Sequence, residues 1–241
     1  MAMMTQSATA EPLRLPGCLI TLEGGEGSGK TTQARLLCTW LRDANVPLTA
    51  VREPGATPLA ERLRGILLDP ALEDLRPEAE VFLFAAARAQ VVAQVLAPAL
   101  ARGDVVVCDR FIDSSTAYQG FGLGVDRSFI SAVNDHAAGG LRPDLTLLLD
   151  APSTVARARS LEARGASDRI ERRPPVYHEA VRRGYLALAA AEPERFVVID
   201  ATRGLEAVRD EARDAVAAVL VRKGYALAAA PAIRRREGVE P

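Results

Sequence analysis

Histidine, cysteine and lysine are all scarce in this chain of 241 residues, and each shortage excludes something. The two histidines, His136 and His178, are too few and too far apart to build a zinc site. The three cysteines, Cys18, Cys38 and Cys108, form no C-x-x-C pair, and their apolar neighbours point to buried thiols rather than ligands. An odd count fits a reducing compartment. Residues 1–16 have no charged stretch leading into an apolar one, so no secretory signal is expected there. No apolar run is read as long enough to span a membrane, and a cytoplasmic location is expected. A net charge of -1 gives no general attraction to polyanions, so no nucleic-acid partner is expected. Only two of the 30 basic residues are lysines, Lys30 and Lys223, which makes the position of each informative.

What is present is ordinary globular material, 49% hydrophobic and 25% charged, enough for one full domain with a sizeable core. Short apolar runs recur at Gly17–Leu22, Pro47–Arg52, Asp104–Asp109, Leu145–Asp150 and Phe196–Asp200. Helical spacing separates them, over about 58–68, 77–102, 126–138, 153–163, 176–191 and 205–221. Five apolar strands divided by helices predict an α/β fold, a five-stranded parallel sheet with helices on both faces. The stretch 77–102 is apolar almost all round, which predicts burial on more than one side, with a kink at Pro98. Residues 17–222 are expected to form a single domain. Residues 1–16 read as a loose extension, and 223–241, rich in Ala, Pro and Arg, as a loose tail.

In such a sheet ligands gather at the carboxyl ends of the strands, where Glu23, Arg52, Asp109, Asp150 and Asp200 fall. The first strand runs into GGEGSGKT, from Gly24 to Thr31, and then into a helix. This fits G-x-x-x-x-G-K-[ST] in the context the motif requires. Bare glycines let successive N–H groups curl round a phosphate, and the helix N-terminus adds a positive dipole. Gly24, Gly25, Glu26, Gly27, Ser28, Gly29, Lys30, Thr31 and Thr32 are therefore expected to bind a nucleoside triphosphate. Lys30 can reach the β- and γ-phosphates, and the Thr31 hydroxyl can ligate Mg²⁺.

A switch GTPase should carry N-K-x-D, yet neither Asn45 nor Asn134 is followed by lysine. A small enzyme moving phosphate onto a small acceptor remains. Arg52, in R-E-P-G, and Arg110, in D-R-F, each sit at a strand's carboxyl end. There they could clamp an acceptor phosphate with paired hydrogen bonds, although surface ion pairing would place arginines there too.

Together the segments 23–32, 52–57, 84–88, 109–120, 142–145 and 168–171 resemble bacterial thymidylate kinases, over about Cys18 to Val221. The combination of R-E-P-G, D-R-F…A-Y-Q-G and D-R-I-E in that order carries the resemblance. It implies a P-loop NTPase fold of the nucleoside monophosphate kinase type, with ATP as donor, dTMP as acceptor, Mg²⁺ as cofactor and a homodimer. Lys30 and Arg110 are then catalytic, and Asp109 joins Thr31 at the metal. Arg52 and Arg110 hold the dTMP phosphate, Phe84 stacks on thymine, and Arg88 reaches a thymine carbonyl. Ser115 and Gln119 meet the base, Tyr118 lies under the sugar, and Glu26 faces the 3′-hydroxyl.

The same resemblance makes about 157–175 a mobile arginine-rich lid. Arg164 and Arg169 become candidates for stabilising the transferring phosphoryl. A solvated helical face suffices for Arg157 and Arg159. Phe111, Ala56 and Leu123 replace the usual tyrosine, glycine and arginine, and Arg172-Arg-Pro-Pro175 is unusual after D-R-I-E. A kinase of another nucleoside monophosphate or of a deoxynucleoside, or a non-catalytic nucleotide-binding module, would use the same sheet and loop.

Overall fold

The structure, a computed structural model, describes residues 16–164 and 168–227, with residues 161–164 described by their backbone alone. Five strands form one parallel sheet: β1 (Cys18–Glu23), β2 (Leu48–Arg52), β3 (Val105–Asp109), β4 (Leu145–Asp150) and β5 (Phe196–Asp200). Their order is β2-β3-β1-β4-β5. The helices are α1 (Lys30–Asp43), α2 (Pro58–Leu68), α3 (Pro77–Val91), α4 (Ala97–Ala101), α5 (Ile112–Ser115), α6 (Arg127–Ala137), α7 (Ser153–Arg164), α8 (Pro175–Ala191) and α9 (Leu205–Arg222). The chain leaves β1 toward β2, returns to β3, then crosses β1 to reach β4. The reversal opens a crevice above the carboxyl end of β1, where the glycine loop lies.

The strands are apolar on both sides because both faces are covered. Cys18, Ile20, Leu22, Leu145, Leu147 and Leu149 pack with Leu37 and Leu41 of α1 and Val216 and Leu220 of α9. The alternate residues Leu19, Val106 and Cys108 meet Ala87, Val91 and Leu96 on the other face. Leu148 joins Tyr177, Val181 and Tyr185 of α8. Local chemistry fixes several boundaries. The Thr57 side chain accepts from the Ala60 N–H at 3.2 Å and caps α2, with Pro58 following, and Asp126 accepts from Phe129 N–H at 2.8 Å to cap α6. Pro175 likewise opens α8 as its first residue, so the prolines after D-R-I-E start a helix.

Four expectations need correction. The stretch 77–102 is not one regular α-helix. A π-helical turn, Val92–Leu96, stands between α3 and α4 and absorbs the proline's missing N–H and ring bulk one turn upstream. Second, the helical run Pro77–Ala101 is, at 25 residues, long and apolar enough by length and composition to cross a membrane. In the structure it is a core element, with Glu80 and Arg88 held in buried ion pairs. Third, the helical spans read from the sequence leave 103–125 without a helix, whereas α5 lies there and runs on into a π-helical segment, Thr116–Gly122. Fourth, the C-terminal tail begins later than expected. Lys223 pairs with Asp144 at 2.7 Å, the Tyr225 hydroxyl donates to Gly103 O at 2.9 Å, and Leu227 packs on the core. The rest of both expected tails lies outside the described residues.

Candidate active site

The glycine loop runs close against β4 and α7, where a side chain would not fit at Gly24 or Gly27. Gly27 has φ +76°, and a Cβ there would stand 1.8 Å from the Ala156 carbonyl of α7. Gly29, at φ +95°, turns the chain into α1 so that Lys30 is its first residue. The Lys30 ammonium donates to Gly24 O at 3.0 Å, Gly25 O at 2.7 Å and the Ser28 hydroxyl at 3.4 Å. Burial, followed by the Arg110 charge, lowers its pKa to about 8. The Thr31 hydroxyl donates to Asp109 Oδ2 at 2.8 Å, joining the loop to the end of β3.

Arg110 follows that aspartate with φ +74°, in the left-handed region that a bulky side chain avoids. Its N–H donates to Leu22 O at 3.0 Å. The buried Glu23 carboxylate accepts from the next N–H, of Phe111, at 2.7 Å, and also from the Ser114 and Tyr185 hydroxyls at 2.6 and 2.8 Å. Held this way, the Arg110 guanidinium donates to Gly24 O at 3.0 Å, to Glu26 and to the Tyr118 hydroxyl at 2.9 Å. It also lies 4.8 Å over the Tyr118 ring. The Tyr118 hydroxyl donates to Glu26 at 3.1 Å.

A cleft of about 460 Å³ opens above this cluster. Of the residues expected at the site, Glu26, Gly27, Gly29, Lys30, Thr31, Thr32 and Asp109 line it at the glycine-loop end. Arg52, Phe84, Arg110, Ser115, Tyr118 and Gln119 also line it. Gly24, Gly25 and Ser28 do not, the first two backing onto a smaller cavity behind the loop. Arg52 is half exposed and pairs with Glu61 at 3.0 Å.

Arg88 also lies off the cleft lining. It is buried, donating to Glu53 at 2.9 Å, Ser115 at 3.1 Å, Asn134 at 2.7 Å and Phe111 O at 3.1 Å. Arg169 is buried too, donating to Leu67 O at 3.0 Å and Glu80 at 2.7 Å, and is not among the residues that line the cleft. The backbone of Arg164 ends α7, and its side chain lies outside the described residues. Arg159, expected on a solvated face, is exposed, borders the cleft and donates to Ala201 O at 2.7 Å. Arg157 donates to Arg173 O at 3.1 Å.

Sequence reasoning missed the buried acids Glu53 and Glu80. The available signal was a carboxylate placed beside or within apolar sequence, which requires a cationic partner. The unusual residues have physical places. Ala56 adopts φ +68°, a conformation that costs about 1–2 kcal/mol outside glycine. Phe111 is buried beneath the Arg88 guanidinium, and Leu123 packs in the apolar cluster around Tyr118.

No group of three or more His, Cys, Asp or Glu side chains is placed to hold a metal among the described residues. Thr31 and Asp109 offer two oxygen donors at the cleft wall, a set suited to Mg²⁺, which takes one or two protein ligands alongside phosphates and water.

Comparison with known proteins agrees with this geometry. The family model described as thymidylate kinase matches residues 22–212. The chain belongs to the thymidylate kinase family. It is 52% identical over 196 residues to a thymidylate kinase of Chromohalobacter salexigens, covering 80% of this chain and 92% of that one. It is 49% identical over 203 residues to a thymidylate kinase of Geobacter sulfurreducens, covering 82% and 95%. The crystal structure of thymidylate kinase from Ehrlichia chaffeensis superposes with a TM-score of 0.67 at 32% identity, over 83% of this chain and 98% of that one. The five-stranded parallel sheet is thus the sheet of a P-loop NTPase.

Burial first, and the Asp113 charge second, push the Glu23 carboxyl from 4.5 up to about 7. The folded chain therefore holds this proton more tightly than the unfolded chain. Its contribution to stability is full below about pH 4.5 and lost as pH rises through about 7. Glu23→Gln removes the titration. The variant should gain on wild type across that window by on the order of 3 kcal/mol, read from urea unfolding at each pH. Parallel stability profiles would contradict the shift.

Proposed function

We propose that this chain transfers the γ-phosphoryl group of ATP to dTMP, giving dTDP. The observation that carries the reading is the convergence of Lys30, Asp109, Arg110 and Tyr118 on one cleft, in a chain of the thymidylate kinase family. ATP phosphates lie along Gly24–Thr32, and the Lys30 ammonium turns from the loop carbonyls to the β- and γ-oxygens. Mg²⁺, held by Thr31 and Asp109 directly or through water, supplies charge neutralisation on the phosphates when bound. Arg110 exchanges part of its bonding to Glu26 for the dTMP phosphate, and Arg52 leaves Glu61 to do the same from the opposite wall. Both arginines are oriented before the substrate arrives, which favours an in-line approach.

Phe84 stacks on thymine. Among the described residues four of the five Arg88 N–H groups are committed to protein acceptors, leaving one at Nη2 for a thymine carbonyl. Ser115 and Gln119 complete the base site, and Glu26 faces the 3′-hydroxyl. Arg164, at the end of α7, is the lid arginine assigned to the transferring phosphoryl. Arg169 acts from its anchored position rather than at the phosphates. Residues 157–175 form the lid of a single domain spanning about 17–222.

A homodimer forms through the outer side of α3. There Phe82 is 55% exposed and meets Phe129 edge-on at 5.5 Å, beside the exposed Ala86 and Ala89. The buried free thiols support a cytoplasmic location.

ADP release measured with ATP, Mg²⁺ and a panel of dTMP, dUMP, dCMP, UMP, AMP and thymidine should show dTMP as the preferred acceptor. Lys30→Ala should lower kcat by roughly 10²-fold or more while circular dichroism stays unchanged, because the ammonium neutralises charge that builds on the phosphates. Near-normal turnover would remove the loop from the mechanism.

Tyr118, held at both its hydroxyl and its ring, leaves no space for a 2′-hydroxyl. Steric discrimination of this size is worth about 1–3 kcal/mol. Tyr118→Ala should therefore shift the kcat/KM ratio of dTMP to ribothymidine monophosphate by roughly tenfold. Loss of both activities in parallel would reduce Tyr118 to packing. Sedimentation at micromolar concentration should give a dimer, and monomer alone would reject the α3 interface.

A further inference from the structure

Glu80 is the only charged residue between Glu78 and Arg88 in the apolar run of α3. Its side chain is fully buried and accepts from three side chains. Gln119 Nε2 donates to Oε1 at 2.7 Å, and Arg173 Nη1 reaches the same oxygen at 3.3 Å. Arg169 and Arg173 donate to Oε2 at 2.7 and 2.6 Å. Burial alone would raise the carboxyl pKa, but Arg173 and the hydrogen bonds from Arg173, Gln119 and Arg169 hold it below its ordinary value. Glu80 is therefore an acceptor and nothing else.

That fact sets the orientation of its neighbour. A carboxylate oxygen at 2.7 Å requires the amide nitrogen of Gln119 to face it, so the carbonyl Oε1 of Gln119 faces the other way. Gln119 lines the cleft, and among the described residues no donor reaches its Oε1. Turning the amide over would set oxygen against oxygen in a buried site and strand the amide hydrogens.

We propose that Glu80 is a positioning residue for base selection. By holding Gln119 as a hydrogen-bond acceptor, it favours a pyrimidine with an N–H at ring position 3 over one with a bare lone pair there. The proposal rests on the reading of the cleft as a dTMP site. Thymine and uracil carry that hydrogen and cytosine does not, so selection separates dTMP and dUMP from dCMP. Arg169 and Arg173, from the segment joining α7 to α8, keep the carboxylate ionised and in place. One buried acid thus ties the anchor of the lid segment to the residue that meets the base. A purely structural Glu80, neutralising two arginines, would affect every base alike.

The test measures inhibition constants of dCMP and dUMP, relative to KM for dTMP, in wild type and Glu80→Gln. The new carboxamide can donate as well as accept, which frees Gln119 to turn over. The dCMP ratio should move toward dTMP by about tenfold or more, while the dUMP ratio stays in place. In a Gln119→Ala background the Glu80→Gln change should no longer move the dCMP ratio. An unmoved dCMP ratio, dCMP and dUMP moving together, or an effect persisting without Gln119 overturns the proposal and leaves the dTMP reading standing. Wild type that phosphorylates another monophosphate in place of dTMP overturns both. If Glu80→Gln does not fold, side-chain amide exchange of Gln119 in ¹⁵N-labelled wild type decides. Protection of an amide proton is expected, and exchange of both at the rate of free glutamine overturns the orientation.

Discussion

The Glu23 carboxylate, buried at the end of the central strand, is the contact on which the cleft depends. It accepts from the Phe111 N–H and from the hydroxyls of Ser114 and Tyr185, and so gathers β1, the exit of β3 and α8 at one point. The chain leaving β3 can then hold Arg110 in the left-handed region, a conformation that costs free energy and persists only where its surroundings fix it. From there the guanidinium meets the glycine loop, Glu26 and Tyr118 together. Without that anchor the backbone would relax to an ordinary turn, and the donor and acceptor halves of the cleft would lose their common corner.

Charge in and behind the cleft wall is arranged as pairs. Arg52 has Glu61, Arg88 has Glu53, Arg110 has Glu26, and Arg169 and Arg173 share Glu80. The pairs differ in burial, and that difference sorts their roles. The Arg52 pair is half exposed and screened, so a phosphate can displace its carboxylate at small cost. The Arg88 and Arg169 pairs are almost fully buried, and breaking either would strand a charge in a low-dielectric interior. Burial thus separates one readily exchanged pair, at Arg52, from fixed ones that shape the walls.

Much of this was legible before any coordinates. All five strands follow from short apolar runs, four of them ending on an acid, and most of the helices between them follow from helical spacing. The glycine loop follows from its eight residues between a strand and a helix. The π-helical segments were not legible, because one extra residue per turn leaves no compositional mark. The ion-pair partners were hidden for a different reason. Helical spacing puts Phe84 and Arg88 on neighbouring positions, but four residues overshoot a full turn by roughly 40°. Phe84 therefore lines the cleft while Arg88 turns into the protein behind it. The D-R-I-E pattern singles out Arg169 as important, yet spacing alone could not reveal that Glu80 was waiting for it on another helix.

The widened turn from Thr116 to Gly122 makes the length of this segment a design variable in its own right. A surface loop tolerates gain or loss of a residue because the change dissipates in solvent. Here the surplus residue is stored inside a helix whose two ends are pinned, one by β3 and one by packing against α8. Deleting a single residue would restore regular α-helical winding and re-aim the side chains within the segment itself. Tyr118 and Gln119 would then point at different neighbours with their chemistry unchanged. For this stretch the reading frame of the helix, more than the identity of any one residue, determines which groups face the cleft.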